Sequence, residues 1–244
     1  TSEEILGKAL VGHRHQVYIT TKVGNFARRA GHPLTYETPL HVYLCCDASL
    51  HRLRTDYIDV YFCHINEPSP THEVFIEALE KLCDQGKIRA YGISTDHPEV
   101  LRRYIQQPRC AACQFAYSLL DRRAESGVLP ICRENNLGTL IRSPLRSGLL
   151  TGKYTAESHF SDIVRDRWNE AQREEYSRLI AQLDKLRPLA NAQRTLGQVA
   201  LASLLTRPGV HSLIPGAKSP EQVRDNAAAA DLALSEEDLR IAFP

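Results

Sequence analysis

Methionine is absent from all 244 residues, position 1 included, and tryptophan occurs once. No apolar run approaches the ~20 residues that a membrane-spanning helix requires, so a helical membrane anchor within this sequence is excluded. Net charge is only +1. No global field therefore favours nucleic acid or an anionic membrane as partner. The opening Thr1-Ser2-Glu3-Glu4 is polar, which is not a secretory signal pattern. Neither G-x-G-x-x-G nor G-x-x-x-x-G-K-[ST] occurs, so the two common glycine-rich phosphate cradles are missing. Internal repeats, proline-rich linkers and low-complexity tracts are missing too.

The seven cysteines are odd in number and scattered, with Cys45 and Cys46 adjacent. That suits a reducing, cytoplasmic compartment better than a disulfide framework. Cys110-Ala-Ala-Cys113 has C-x-x-C spacing but no second pair or His cluster to complete a metal site. Two small buried apolar residues are the plainer reading.

What is present is ordinary for a globular chain: 43 % hydrophobic and 24 % charged residues. The length fits one domain spanning 1–244. Strand and helix signals alternate throughout. Strands are expected over 16–24, 57–64, 88–94, 110–116, 139–145 and 211–217 from their β-branched and apolar runs. Helices are expected over 2–10, 39–54, 71–86, from Pro98, and over 126–135, 170–186 and 195–206. Thr71 is the expected N-cap of the third. Ser219-Pro220-Glu221-Gln222 starts a final helix, with Ser219 as cap, Pro220 at its first position and Gln222 closing a capping box. Residues 146–192 break the rhythm as a long excursion.

Repeated βα units imply a parallel sheet covered by helices, and the fold class is α/β. A closed (β/α)8 TIM barrel needs eight strands, of which about six are legible here. The chain also opens on a helix. These signs and the missing methionine lead us to expect roughly 50–60 further residues before Thr1, enough for two strands and a helix.

In such a barrel the chemistry projects from the C-terminal ends of the strands. The polar residues there are Lys22, His64, Ser94, Thr95, Gln114, Arg142, Ser143, Gly216 and Lys218. Taken singly, each has a plain alternative. Lys22 reads as well as a lysine snorkelling to solvent. His64 reads as a structural hydrogen-bonder. Cys63 beside it points to the opposite face, which argues against a Cys/His nucleophile. The turn at 216–219 opens a helix, whose free N–H groups and dipole suit a phosphate.

The residues resemble one known family in order along nearly the whole chain. Thr21-Lys22-Val23-Gly24 looks like the lysine strand of the aldo-keto reductases, and Asp56 to Tyr61, ending in His64, looks like their histidine strand. Gly86 to Ser94 is close to their G-K-I-R-x-x-G-x-S signature. Gln114, Tyr117 to Arg122, Ser143 to Tyr154 and Ile214 to Asn226 continue the match, and the opening helix looks like the one following the family's D-T-A-x-x-Y-G segment.

The resemblance implies an NADP(H)-dependent oxidoreductase that transfers hydride to an aldehyde or ketone. It also implies a catalytic tetrad of Asp, Tyr, Lys and His. Lys22 and His64 match two of these. The Asp and Tyr belong to the D-T-A-x-x-Y-G segment, which would lie before Thr1, and Tyr18, Tyr36 and Tyr57 do not match it. Matching positions assign Ser94 and Gln114 to the carboxamide, with Thr95 where Asn is common and Arg142 where an aromatic often stacks. Ser143, Leu145, Gly148 and Lys153 match the pyrophosphate loop. Gly216, Lys218, Gln222, Asp225 and Asn226 match the adenosine end, with Lys218 the main candidate for the 2′-phosphate. The partners implied are a small carbonyl substrate, with neither nucleic acid nor membrane; homo-oligomerisation stays open. The alternative is a catalytically inactive, cofactor-binding regulatory or structural subunit of the same fold.

Overall fold

A computed structural model of the chain describes residues 1–24, 37–155, 158 and 169–244. Part of the 146–192 excursion and Tyr36 lie outside the described residues. The chain divides into two compact units, Thr1–Phe115 with Ser126–Thr139, and Ala116–Glu125 with Leu140–Pro244.

In the first unit α1 (Ser2–Ala9) precedes β1 (Thr20–Val23), α2 (Leu40–Leu53), β2 (Ile58–Cys63), α3 (Thr71–Asp84), β3 (Ile88–Ser94), α4 (Pro98–Tyr104) and β4 (Cys110–Ala116), and α5 (Val128–Glu134) follows. β1 pairs with β2, β2 with β3, and β3 with β4, all parallel. Strands covered on both faces should be nearly continuous apolar runs, and β2 is one, with Ile58, Tyr61, Phe62 and Cys63 fully buried. α3 buries Phe75, Ala78, Leu79 and Leu82, a helical stripe. Gly92 in the middle of β3 is required by close approach. A Cβ there would strike the Ala112 carbonyl and the Phe62 ring.

Asp59 is a carboxylate inside an otherwise apolar strand, which is tolerable only when paired. It accepts Arg14 Nη2 at 2.7 Å, Arg89 Nη1 at 3.0 Å and the Ile19 N–H at 2.9 Å. The two guanidinium groups lie over the Tyr57 ring at 3.9 and 4.0 Å. This assembly shortens the first expected strand. Arg14–Gln16 forms a 3-10 turn drawn toward Asp59, and the strand begins only at Thr20.

The second unit carries the end of β5 (Gly138–Arg142), α6 (Glu170–Leu186), α7 (Leu196–Leu205), β6 (Ser212–Leu213), α8 (Pro220–Ala228) and α9 (Glu236–Ala242). β5 and β6 pair in parallel. α7 is apolar all round and almost wholly buried, as such helices must be. All six expected strands are therefore present, and the fold class is α/β. None of the helices among the described residues is long and apolar enough to cross a membrane.

Some local expectations are corrected. Thr71 is the first helical residue of α3 rather than its cap, and its N–H is taken by Ser69 Oγ at 3.2 Å. β6 is two residues long instead of seven. Its ladder stops at Ile214, because Pro215 has no N–H to continue it. The helix begun by Ser219 is not the last, since α9 follows.

Candidate active site

Lys22 and His64 leave adjacent strands of the first unit. Lys22 stands opposite Phe62 in the β1–β2 register. The His64 N–H donates to the Val23 carbonyl at 2.7 Å, which extends the pairing by one residue. Both side chains are half-buried. Cys63 next to His64 is fully buried, and burial pushes its thiol up to about 12. It is an inert core residue on the opposite face. Cys110 and Cys113 are likewise buried in β4, and burial drives the Cys110 thiol to about 12.

Ser94 and Gln114 are register partners at the ends of β3 and β4. Both are nearly inaccessible, at 3 % and 2 % exposure. Buried side-chain amides normally find partners, yet Gln114 Nε2 has none among the described residues. An unspent donor at a strand end is what a planar amide ligand would satisfy. Thr95 differs: its hydroxyl donates to the Asn66 carbonyl at 2.7 Å and accepts the His97 N–H at 3.1 Å.

In the second unit the chain turns sharply after β5. Ser143, Arg146, Ser147 and Gly148 have φ of 56°, 46°, 53° and 87°. Left-handed backbone at three non-glycine residues is costly and persists only when the surroundings fix it. Asp121 supplies one fixing point. Its carboxylate is held by Arg123 at 2.8 and 2.7 Å and meets Arg146 Nη1 at 3.3 Å. Burial alone would raise the Asp121 pKa, but these guanidinium groups outweigh it and hold the carboxyl below its usual range. Arg187 supplies another, donating to the carbonyls of Gly152 at 2.7 Å and Tyr154 at 3.0 Å on either side of Lys153.

A second turn precedes α8. Ser219 caps the helix by accepting the Gln222 N–H at 3.3 Å, and Pro220 takes the first helical position. The expected capping box does not close. Gln222 Oε1 accepts the N–H of Lys218, one residue before the cap, at 2.8 Å. The two turns line one cavity of about 650 Å³. Every residue matched to the pyrophosphate and adenosine ends borders it: Ser143, Leu145, Gly148, Lys153, Gly216, Lys218, Gln222, Asp225 and Asn226. A Cβ on Gly216 would meet no atom of the described residues within 4 Å, so on their side this wall is open to a ligand. Arg142, at the end of β5, is half-buried and does not border that cavity.

Reading the sequence did not find Asn66 or Arg187, and met Asp121 only within the matching stretch from Tyr117 to Arg122, with no role assigned. Asn66 and Thr95 are 29 residues apart and Arg187 and Gly152 are 35 apart. No periodicity or motif links such pairs.

Comparison with known proteins gives a consistent result. The model of the aldo/keto reductase family matches residues 1–242. The NADH-specific methylglyoxal reductase of Escherichia coli is 36 % identical over 97 % of this chain and 77 % of its own length. An aldo-keto reductase from Klebsiella pneumoniae, solved with NADPH, superposes with a TM-score of 0.72 at 29 % identity, covering 99 % of this chain and 74 % of that one. A glycerol dehydrogenase from Gluconobacter oxydans reaches a TM-score of 0.81 at 26 % identity, over 99 % and 75 % of the two chains.

Proposed function

The chain belongs to the aldo/keto reductase family of NAD(P)H-dependent oxidoreductases, and from that premise we propose that it catalyses reversible hydride transfer between NADP(H) and a small aldehyde or ketone. The observation that carries this reading is the 650 Å³ cavity of the second unit, which gathers all nine matched phosphate and adenosine positions. Its cations, Lys153 and Lys218, suit the dinucleotide's phosphates. The unspent Gln114 Nε2, opposite Ser94, fits a carboxamide oxygen.

When bound, the nicotinamide supplies hydride to the carbonyl carbon. The residues of this chain do the rest. Ser94 and Gln114 would hold the carboxamide. Arg142, a planar cation, would take the place where other members carry an aromatic ring. Lys22 lowers the pKa of the proton-donating phenol that the family resemblance implies, because an adjacent ammonium favours the phenolate. His64 donates a hydrogen bond that orients the carbonyl and stabilises the negative charge developing on its oxygen. Lys218 reads the 2′-phosphate. The free thiols of all seven cysteines suit a reducing, cytoplasmic setting.

The test is direct. The complete protein, carrying the Asp and Tyr that the resemblance implies, is titrated with NADH and NADPH by calorimetry, then assayed for cofactor oxidation with aldehydes and ketones, methylglyoxal among them. Tight binding of at least one dinucleotide and turnover of a carbonyl are expected. Failure to bind either dinucleotide rejects the reading. The specificity of the Escherichia coli relative makes NADH the second cofactor to weigh.

A further inference from the structure

We propose that Asn66 and Thr95 form a positioning clamp that locks the segment after His64 to the segment after Ser94, and that Thr95 acts through this clamp without touching the cofactor. The proposal rests on the functional reading above.

The hydroxyl of Thr95 has one proton to give, and it goes to the Asn66 carbonyl at 2.7 Å. The same oxygen accepts the His97 N–H at 3.1 Å. The backbone N–H of Thr95 is also committed, to the Gln114 carbonyl at 3.0 Å. The side chain is fully buried and its one hydroxyl proton is already given away, unlike the donor of Gln114. To donate to a carboxamide it would have to abandon Asn66 and leave that carbonyl without its donor.

The Asn66 side chain is engaged at both ends. Its Oδ1 accepts the Asp96 N–H at 2.8 Å, and its Nδ2 donates to Glu67 Oε1 at 2.9 Å. Thr95, Asp96 and His97 are thus tied to one asparagine, directly or through the threonine hydroxyl. The loop bearing Asn66 is anchored further along. The Glu67 carbonyl meets His72 Nε2 at 2.9 Å, Glu67 Oε2 meets His97 Nε2 at 3.0 Å, and the Ser69 carbonyl accepts Arg103 Nη1 at 3.1 Å.

The consequence is mechanical. The exits of β2 and β3 cannot shift independently, so His64, Ser94 and the Gln114 backbone keep one relative geometry. A small misplacement of positioned groups is costly in binding and in rate. Threonine suits the clamp because its hydroxyl both donates and accepts within a buried space.

The variants Thr95→Val, Asn66→Ala, their double and Thr95→Ser test this in the intact protein. Dissociation constants are measured for NADH, NADPH and ADP-ribose, the last lacking a nicotinamide. Amide hydrogen exchange at Asp96 and His97 is followed without any ligand. Thr95→Val and Asn66→Ala should each weaken dinucleotide binding roughly tenfold, leave ADP-ribose within about twofold, and speed exchange at both amides. Thr95→Val removes the bonds to the Asn66 carbonyl and from the His97 N–H, and Asn66→Ala removes the bond from the Asp96 N–H. The double should be less than additive, because both loosen the same two segments. Thr95→Ser should behave as wild type. Three outcomes overturn the clamp: additive losses, a serine variant as weak as valine, or ADP-ribose weakened in parallel. Wild-type protein that binds neither dinucleotide removes the functional reading and the clamp together. Normal wild-type binding with silent variants removes the clamp alone.

Discussion

Gln222 Oε1 accepts the backbone N–H of Lys218 at 2.8 Å. The helix that opens at Pro220 therefore reaches back past its own cap and fixes the turn from which the Lys218 side chain extends. The lysine is exposed on the wall of the cavity, while its backbone donor is already used. A phosphate read by Lys218 is therefore read by its ammonium group, not by its backbone N–H.

From this follows the first prediction. Lys218→Ala should raise the dissociation constant for NADPH by about tenfold to a hundredfold, the equivalent of a charge-assisted hydrogen bond of ~1.5–3 kcal/mol. NADH should change little. Calorimetric titration with both cofactors decides it, and equal weakening of the two would show that Lys218 does not discriminate the 2′-phosphate.

The second prediction separates chemistry from binding. In the complete protein, Lys22→Ala should lower kcat for carbonyl reduction by several orders of magnitude with NADPH affinity nearly unchanged, since its role is in the chemical step. Without the neighbouring ammonium, a phenol returns toward its ordinary pKa of ~10 and donates poorly at neutral pH. His64→Ala should cost less with strongly electrophilic aldehydes than with ketones. Steady-state kinetics alongside direct cofactor titration check both, and a Lys22→Ala variant that loses cofactor affinity in step with kcat contradicts the assignment.

The third prediction concerns packing. Gly92→Ala drives a methyl group against the Ala112 carbonyl and the Phe62 ring. The backbone of a central parallel strand cannot yield easily, so a loss of about 1–3 kcal/mol or more is expected. Urea unfolding of the variant measures it; a midpoint unchanged from wild type would mean that the sheet accommodates the methyl group.

The fourth prediction is a pH dependence. His72 is fully buried, with Nδ1 3.1 Å from the Tyr104 hydroxyl and Nε2 2.9 Å from the Glu67 carbonyl. Desolvation disfavours its cation and lowers its pKa from 6.5. The unfolded chain then binds the proton more readily. Stability is full above about pH 6.5 and falls as the pH drops below that value toward the lowered folded pKa. Tm recorded from neutral to mildly acid pH should show this slope, and His72→Gln should flatten it. A slope that survives in the variant belongs to another group.

Local chemistry was enough for much of this molecule. The apolar run of β2, the helical stripe of α3, the bounds of α6 and the cap at Ser219 follow from near neighbours in the chain, so periodicity and turn residues reveal them. The residue types at the strand ends were legible for the same reason: Lys22, His64, Ser94 and Gln114 each close an apolar run, and parallel strands bring such closures to a common end. Family membership followed from the order of those motifs.

Other features were decided only in three dimensions. Sequence placed Gln222 in a capping box with Ser219, but the fold gave its carboxamide to Lys218. A strand was expected from Gln16, but Asp59 draws Arg14 into a turn and delays it to Thr20. Thr95 matched a cofactor position, yet its hydroxyl is taken by a carbonyl 29 residues away. In each case a polar group had several partners within chemical reach and the sequence named the group alone. Which partner it received depended on which backbone the packing brought within hydrogen-bond distance, because a buried donor or acceptor must be satisfied by whatever surrounds it.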